Sequence, residues 1–213
     1  TRGQLGQHEA ALPRALEAKE LFEILSEKNP KEFRHQLALS LHNLGCILHL
    51  LDRQLEAVEH LRDAVTTYEP LVAEQPDRYI VELNQSLLTL SNAQTRAGQL
   101  QAAMLSLDRA VELQRQLAVR EPEQFAPTFV ENLAQLGYLK SQLGLVEEAV
   151  RDLQEVVAVG RPLCTQLPSE YRLLLARSLG NLGIIQGAQG KFAEAGVALS
   201  EAAAEYMQLA REV

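Results

Sequence analysis

The residues best suited to chemistry lie close together in one stretch. His42, Cys46 and His49 follow one another at short spacing, with His35 one heptad before His42. His42 and Cys46 stand i, i+4 and Cys46 and His49 i, i+3, so either pair could hold zinc from one face of a helix. On such a helix His42 and His49 lie about 10 Å apart, too far to share one ion. The set is therefore at most half a metal site. The competing reading has these side chains lining a binding face, with Cys46 partly packed, and no metal is expected.

Other candidates fail on pattern. His8-Glu9 opens a zinc-protease motif, but Leu12 stands where the second histidine is required. Gly180, Gly183, Gly187 and Gly190 could be taken for a nucleotide loop. A phosphate loop needs a preceding strand and a glycine turn that opens a helix, and these glycines fall instead at positions a repeat explains. Interior helix glycines cost about 1 kcal/mol each relative to alanine, so this helix is expected to be the least stable of its class, and tight helix packing or a loosely held last repeat is the favoured reason for them. Room for a ligand's backbone is the alternative. Glu147-Glu148 suits the start of a helix, where negative charge meets the helix dipole. No catalytic residue and no cofactor is expected, and the chain does not read as an enzyme.

The elements that must position these residues recur. Leu41, Leu44-Gly45, Ala57, Leu61 and Ala64 form a spaced set that returns three more times. Its glycine slot falls at Gly45, Ser91, Gly137 and Gly183, and its alanine slot at Ala57, Ala103, Ala149 and Ala195, a period of 46. Each period opens with a proline and, three residues on, an aromatic: Pro30 with Phe33, Pro76 with Tyr79, Pro122 with Phe125, Pro168 with Tyr171. Proline fits the first turn of a helix and stops the helix before it. The aromatic is expected to plug the corner between repeats.

Leu37, Leu41, Leu44 and Leu48 then mark an amphipathic helix. A break follows at Asp52-Arg53-Gln54, with Gly98, Gly144 and Gly190 in the slot of Asp52, where a left-handed residue ends a helix. A second helix carries Ala57, Leu61, Ala64, Val65 and Leu71. The period thus divides into two helices of about 20 residues, each roughly 30 Å long. Four full repeats are expected at 30–75, 76–121, 122–167 and 168–213, within a single domain over 1–213. Residues 1–29 read as the end of an earlier repeat, with Gly6 in the turn slot and Ala11, Ala15 and Ala18 in second-helix slots. Pro70 and Pro162 predict bends in the first and third second-helices, and Pro13 a disturbance or true start of the first helix.

Composition narrows the function. The 213 residues are 46% hydrophobic and 23% charged, with 5% aromatics and no Trp, a mixture that suits close helix packing. A net charge of −8 disfavours nucleic acid and anionic membranes as partners. Cys46 and Cys164 occupy unrelated repeat positions, which points to a reducing, cytoplasmic setting rather than a disulfide framework. No apolar run approaches the roughly 18 residues needed to span a bilayer. The chain opens at Thr1 inside a repeat, so a fragment of a longer protein with uncapped ends is expected.

A large apolar residue, then Leu-Gly, a turn glycine and Ala-x3-Leu-x2-Ala resembles the tetratricopeptide repeat, over the whole chain. The usual period of that family is 34, so these units are similar to the lengthened repeats of kinesin light chains and bacterial signalling proteins. SLHNLG at 40–45, echoed by SLGNLG at 178–183, carries the comparison further. The resemblance implies an all-α, right-handed superhelical solenoid of antiparallel helix pairs, about nine helices, with first helices lining the concave face. It implies a protein-interaction module that binds a peptide segment or partner helix in that groove, as scaffold or sensing arm of a larger protein. Self-association through uncapped solenoid ends is the alternative, and a metal-dependent or enzymatic role comes third. Mapping the groove slots onto this chain gives His42, Cys46 and His49, then Gln85, Asn92 and Arg96, then Glu131, Tyr138 and Gln142, and last Arg177 and Ile184, with Asn43 and Asn181 in an adjacent slot. The terminal-carboxylate clamp of chaperone-binding relatives is not expected, because its slots hold His42, Cys46 and Thr89 beside the single match Asn43.

Overall fold

The computed structural model describes the backbone of residues 2–166 and 168–212 and the side chains of 6–164 and 171–211. The ring of Pro168 and the terminal Thr1 and Val213, used above to set repeat boundaries, lie outside them. The described residues form nine α-helices and no strand. They are α1 (Arg2–Lys28), α2 (Pro30–Leu50), α3 (Gln54–Glu74), α4 (Pro76–Arg96), α5 (Leu100–Arg120), α6 (Pro122–Gln142), α7 (Val146–Gln166), α8 (Pro168–Ala188) and α9 (Phe192–Glu212). The chain divides into two compact units, 1–110 and 111–213.

Two kinds of break set this pattern. Inside each pair the turn residue is left-handed: Asp52 at φ 63°, Gly98 at 74°, Gly144 and Gly190 at 78°. The N–H after it reaches back to the sixth residue, as Arg53 N to Leu48 O at 2.9 Å and Leu145 N to Lys140 O at 2.9 Å. That is a Schellman closure, and it reverses the chain within three residues. Asp52 meets the demand without glycine, its carboxylate accepting from the Gln54 side chain at 3.0 Å. Between pairs one residue suffices. Asn29, Gln75 and Glu121 sit extended at φ −142°, −140° and −134°, as residues ahead of a proline are driven to be.

Two expectations need correction. Gly6 lies within α1 and turns nothing. The left-handed turns elsewhere are closed by two helices folded on each other, whereas helical backbone runs on both sides of Gly6. Pro13 does not mark the start of a helix, since α1 runs through it; Pro70 and Pro162 lie inside α3 and α7. Pro127 sits inside α6 as well. One missing N–H does not end these helices, because buried neighbours such as Tyr68 and Leu71 beside Pro70 pin the backbone on both sides.

In the unit 1–110, consecutive helices pack, α1 on α2, α2 on α3 and α3 on α4. The small-residue slots show why the repeat is strict. A Cβ on Gly45 would meet Leu61 Cγ at 2.5 Å, and Ala57, Leu61 and Ala64 are fully buried. Ser91 fills the same slot with its hydroxyl donating to the Ala103 carbonyl at 2.9 Å. A cross-helix bond from Asn84 Nδ2 to the Ala110 carbonyl at 2.7 Å extends the same contact. Tyr79, the corner aromatic, is buried with its ring 5.0 Å from that of His35, and Tyr68 stacks beyond at 6.3 Å from His35. Burial pushes the Tyr68 hydroxyl up to about 12, with Glu82 and Tyr79 adding to the shift.

The unit 111–213 repeats the scheme, with α6 on α7, α7 on α8 and α8 on α9. A Cβ on Gly137 would lie 3.2 Å from Leu153 Cγ, and one on Gly183 2.7 Å from Leu199 Cγ. Tyr171 is buried with Val157, Cys164, Leu175, Leu179 and Ala202. Val157, Leu175 and Leu179 each contribute about 1.5–3 kcal/mol by leaving water. Second helices also carry ion pairs at a spacing of 40, Glu69 with Arg109 in one unit, Arg115 with Glu155 and Arg161 with Glu201 in the other. They are partly exposed, so each adds no more than about 1 kcal/mol.

Candidate functional site

In the unit 1–110, α2 places His42, Asn43, Cys46 and His49, and α4 places Gln85, Asn92 and Arg96. Several of these side chains are engaged within the protein. His42 Nε2 lies 3.4 Å from Cys46 Sγ, and its Nδ1 lies 3.1 Å from Ser86 Oγ on α4. Burial lowers the His42 pKa, so the ring is neutral at pH 7. Burial also raises the Cys46 pKa, against a smaller opposite effect from a hydrogen bond with Thr89. The thiol is therefore protonated and a poor nucleophile at neutral pH. His49 Nδ1 meets Gln54 Oε1 at 2.7 Å, with Gln54 Nε2 donating back to the His49 carbonyl at 3.1 Å. His42 and His49 thus turn to different partners, and the described residues hold no group of three metal-ligating side chains. Arg96 reaches the turn, its guanidinium 2.6 Å from Asp52 Oδ1. Asn43 and Gln85 are exposed. Beside Asn43, Cys46 and Leu50, an apolar groove of about 590 Å³ continues onto Ala11, Ala15 and Phe22 of α1.

The unit 111–213 differs. Here α6 places Glu131, Tyr138 and Gln142, and α8 places Arg177, Asn181 and Ile184. The two helices touch, and a cleft of about 680 Å³ opens along them. Five of the six expected residues line it, namely Glu131, Tyr138, Arg177, Asn181 and Ile184. Tyr138 is 52% and Ile184 66% exposed, high values for such large apolar surfaces. Gln142 stands aside from the lining and donates to the Tyr138 hydroxyl at 2.8 Å, which fixes the ring. Gly180 also borders the cleft, and a Cβ there would meet nothing within 4 Å. Gly183 is the opposite case, wedged against α9. The four glycines therefore divide between packing, a turn at Gly190 and open space at Gly180.

Slot mapping missed two kinds of lining residue. Leu174 stands one turn before the Arg177 slot and Ser178 one turn before the Asn181 slot on α8, and Tyr206 belongs to a second helix, α9. Tyr206 occupies the repeat slot of Tyr68, which is 1% exposed, yet is itself 44% exposed. A tyrosine in a core slot of the last repeat was the available signal. No described helix is long and apolar enough to cross a membrane.

Residues 37–74 match the sequence profile of the tetratricopeptide repeat family. A comparison with curated protein sequences finds no match. Among solved structures, the chain is similar to nearly identical TPR-like repeats of a putative kinesin light chain from Podosopora anserina, at 24% identity and a TM-score of 0.63, covering 99% of this chain and 96% of that one. It is also similar to MamA, at 15% identity and a TM-score of 0.56 over 91% and 89% of the two chains. The apo form of RapI aligns at 10% identity and a TM-score of 0.60, over 96% of this chain and 69% of that one. Identities this low speak for the fold. The segment 37–74 is a tetratricopeptide repeat, and the chain around it carries the tetratricopeptide-repeat fold.

Proposed function

We propose that the chain is a protein-interaction module that binds a segment of another protein on its first-helix face. The observation that carries this reading is the cleft along α6 and α8, where exposed Tyr138 and Ile184 stand among Glu131, Arg177 and Asn181. Large apolar side chains beside a few polar groups are what a recognition cleft requires. Exposed Asn43 and Gln85 offer a lesser contact surface on the other unit. The two cysteines are free, which fits a reducing compartment such as the cytoplasm. The reading assigns the chain no reaction, and it suits a scaffold or sensing arm of a larger protein.

The test is selection of phage-displayed random peptides on the immobilised chain, repeated with Tyr138→Ala/Ile184→Ser. Enrichment that this variant loses supports the reading. Enrichment that it leaves intact contradicts it.

Self-association is a second reading, favoured by α9. There Val197, Leu199, Tyr206 and Met207 are 44–62% exposed, and Phe192 at the helix start is 76% exposed. Light scattering across a concentration series decides it, since a strictly monomeric chain excludes assembly.

A further inference from the structure

The cleft of the unit 111–213 carries more than a general affinity for protein. Glu131 on α6 and Arg177 on α8 occupy the same repeat slot, 46 residues apart, and bring opposite charges to its lining. Both are exposed, and neither takes part in a side-chain hydrogen bond or ion pair among the described residues. Two other cations of the unit are paired closely, Lys140 with Asp152 at 2.9 Å and Arg172 with Glu205 at 2.8 Å. Two opposite charges left open on one cleft amount to a recognition pattern with two signs. The exposed Tyr138 and Ile184 supply apolar contact in the same lining, and Asn181 adds an amide that can both donate and accept.

Size and backbone restrict the shape of the occupant. About 680 Å³ is the scale of a cleft that encloses a handful of side chains, whereas a helix with its side chains is roughly 10–12 Å across. The open space at Gly180 lets a bare backbone approach α8 where any other residue would present a side chain. We propose that this cleft selects a short extended segment of a partner protein in which an apolar side chain is flanked by a carboxylate and a cation. The carboxylate meets Arg177 and Asn181, the cation meets Glu131, and the apolar side chain lies against Tyr138 and Ile184. An all-acidic segment is disfavoured by Glu131 and by the net charge of −8, and an all-basic one by Arg177. This assignment rests on the interaction reading above.

The test uses a library of random nine-residue peptides displayed on phage. It is selected against the wild-type chain, Glu131→Arg, Arg177→Glu and the double variant, with Tyr138→Ala/Ile184→Ser as the control for the face. Circular dichroism melting checks that these exposed substitutions leave the fold intact. Wild-type winners are expected to carry an acid and a base around an apolar residue. Replacing the acid of a winner by lysine should weaken it by about tenfold or more on the wild type and restore it on Arg177→Glu, as a partnered charge requires. If winners depend on Tyr138 and Ile184 but ignore both charge reversals, this inference is overturned while the interaction reading stands. If no peptide is enriched, or winners ignore the face control, both fail.

Discussion

The first-helix faces of the two units are built from the same slots and put them to different use. On the unit 1–110, His42 is held by Cys46 and Ser86, His49 by Gln54, and Arg96 by Asp52. On the unit 111–213, Glu131, Arg177, Asn181 and Ile184 border an open cleft, and only Tyr138 is tied, through its hydroxyl, to Gln142. The chemically conspicuous residues are thus those least available to a partner. A histidine or cysteine at a recognition slot says little until its neighbours are known, because i, i+4 spacing brings it within reach of its own helix as readily as of a ligand.

Substitutions that separate packing from recognition break this comparison most forcefully. Gly45→Val would drive a branched side chain into Leu61 and should cost more than the roughly 1–3 kcal/mol usual for overpacking, read as a fall in urea midpoint. Gly180→Ala is the opposite case. It should stabilise the chain by up to about 1 kcal/mol through helix propensity while weakening any peptide bound in the cleft. A stability loss there would show that the space around Gly180 is already filled.

The buried titratable groups sharpen the contrast by pH. The folded pKa of His42 is lowered by burial, so the unfolded chain takes up its proton first. Stability should therefore fall as pH drops below the unperturbed value of 6.5, and the fall should shrink in His42→Gln. Tyr68 behaves in the other direction. Its folded pKa stands near 12 against 10 unfolded, so its contribution is complete below pH 10 and is lost as pH rises toward 12. Denaturation midpoints across both ranges check the two signs, and Tyr68→Phe should flatten the alkaline limb.

The smallest effect belongs to Asp52. Asp52→Gly relieves a left-handed backbone that costs about 1 kcal/mol for a residue with a Cβ, and removes an exposed pair with Arg96 worth about as much or less. Melting should move by no more than a few degrees. A large destabilisation would mean that the Asp52–Arg96 pair holds α4 in place.

Much of the fold was legible because a repeat states each demand several times. The proline that drives its predecessor into an extended conformation, the left-handed turn residue and the Gly45–Leu61 contact all follow from slots that recur at 46. Features without a recurring demand were not legible. Gly6 matched the turn slot, but no slot announces whether a second helix folds back to close the turn. Lys140 stands buried against Asp152 in the slot that holds Leu48 and Gln94 in the earlier repeats, and period alone cannot show which of these a buried position will accept. At the candidate site, spacing put the expected residues on the right helices. Their internal partners were hidden, because the bond from His42 to Ser86 joins residues 44 apart. The role of Tyr206 was hidden for the same reason, since its core slot is buried in an earlier repeat and open in the last.

The central claim is that recognition belongs to the cleft along α6 and α8 rather than to the histidines and cysteine of α2. Its most direct test is the affinity of one selected peptide, by fluorescence anisotropy, for Tyr138→Ala/Ile184→Ser and for His42→Gln/His49→Gln. The account predicts a loss of about tenfold or more, roughly 1.4 kcal/mol, for the first variant and little change for the second. Loss of binding in the histidine variant with the Tyr138/Ile184 variant unaffected would contradict it.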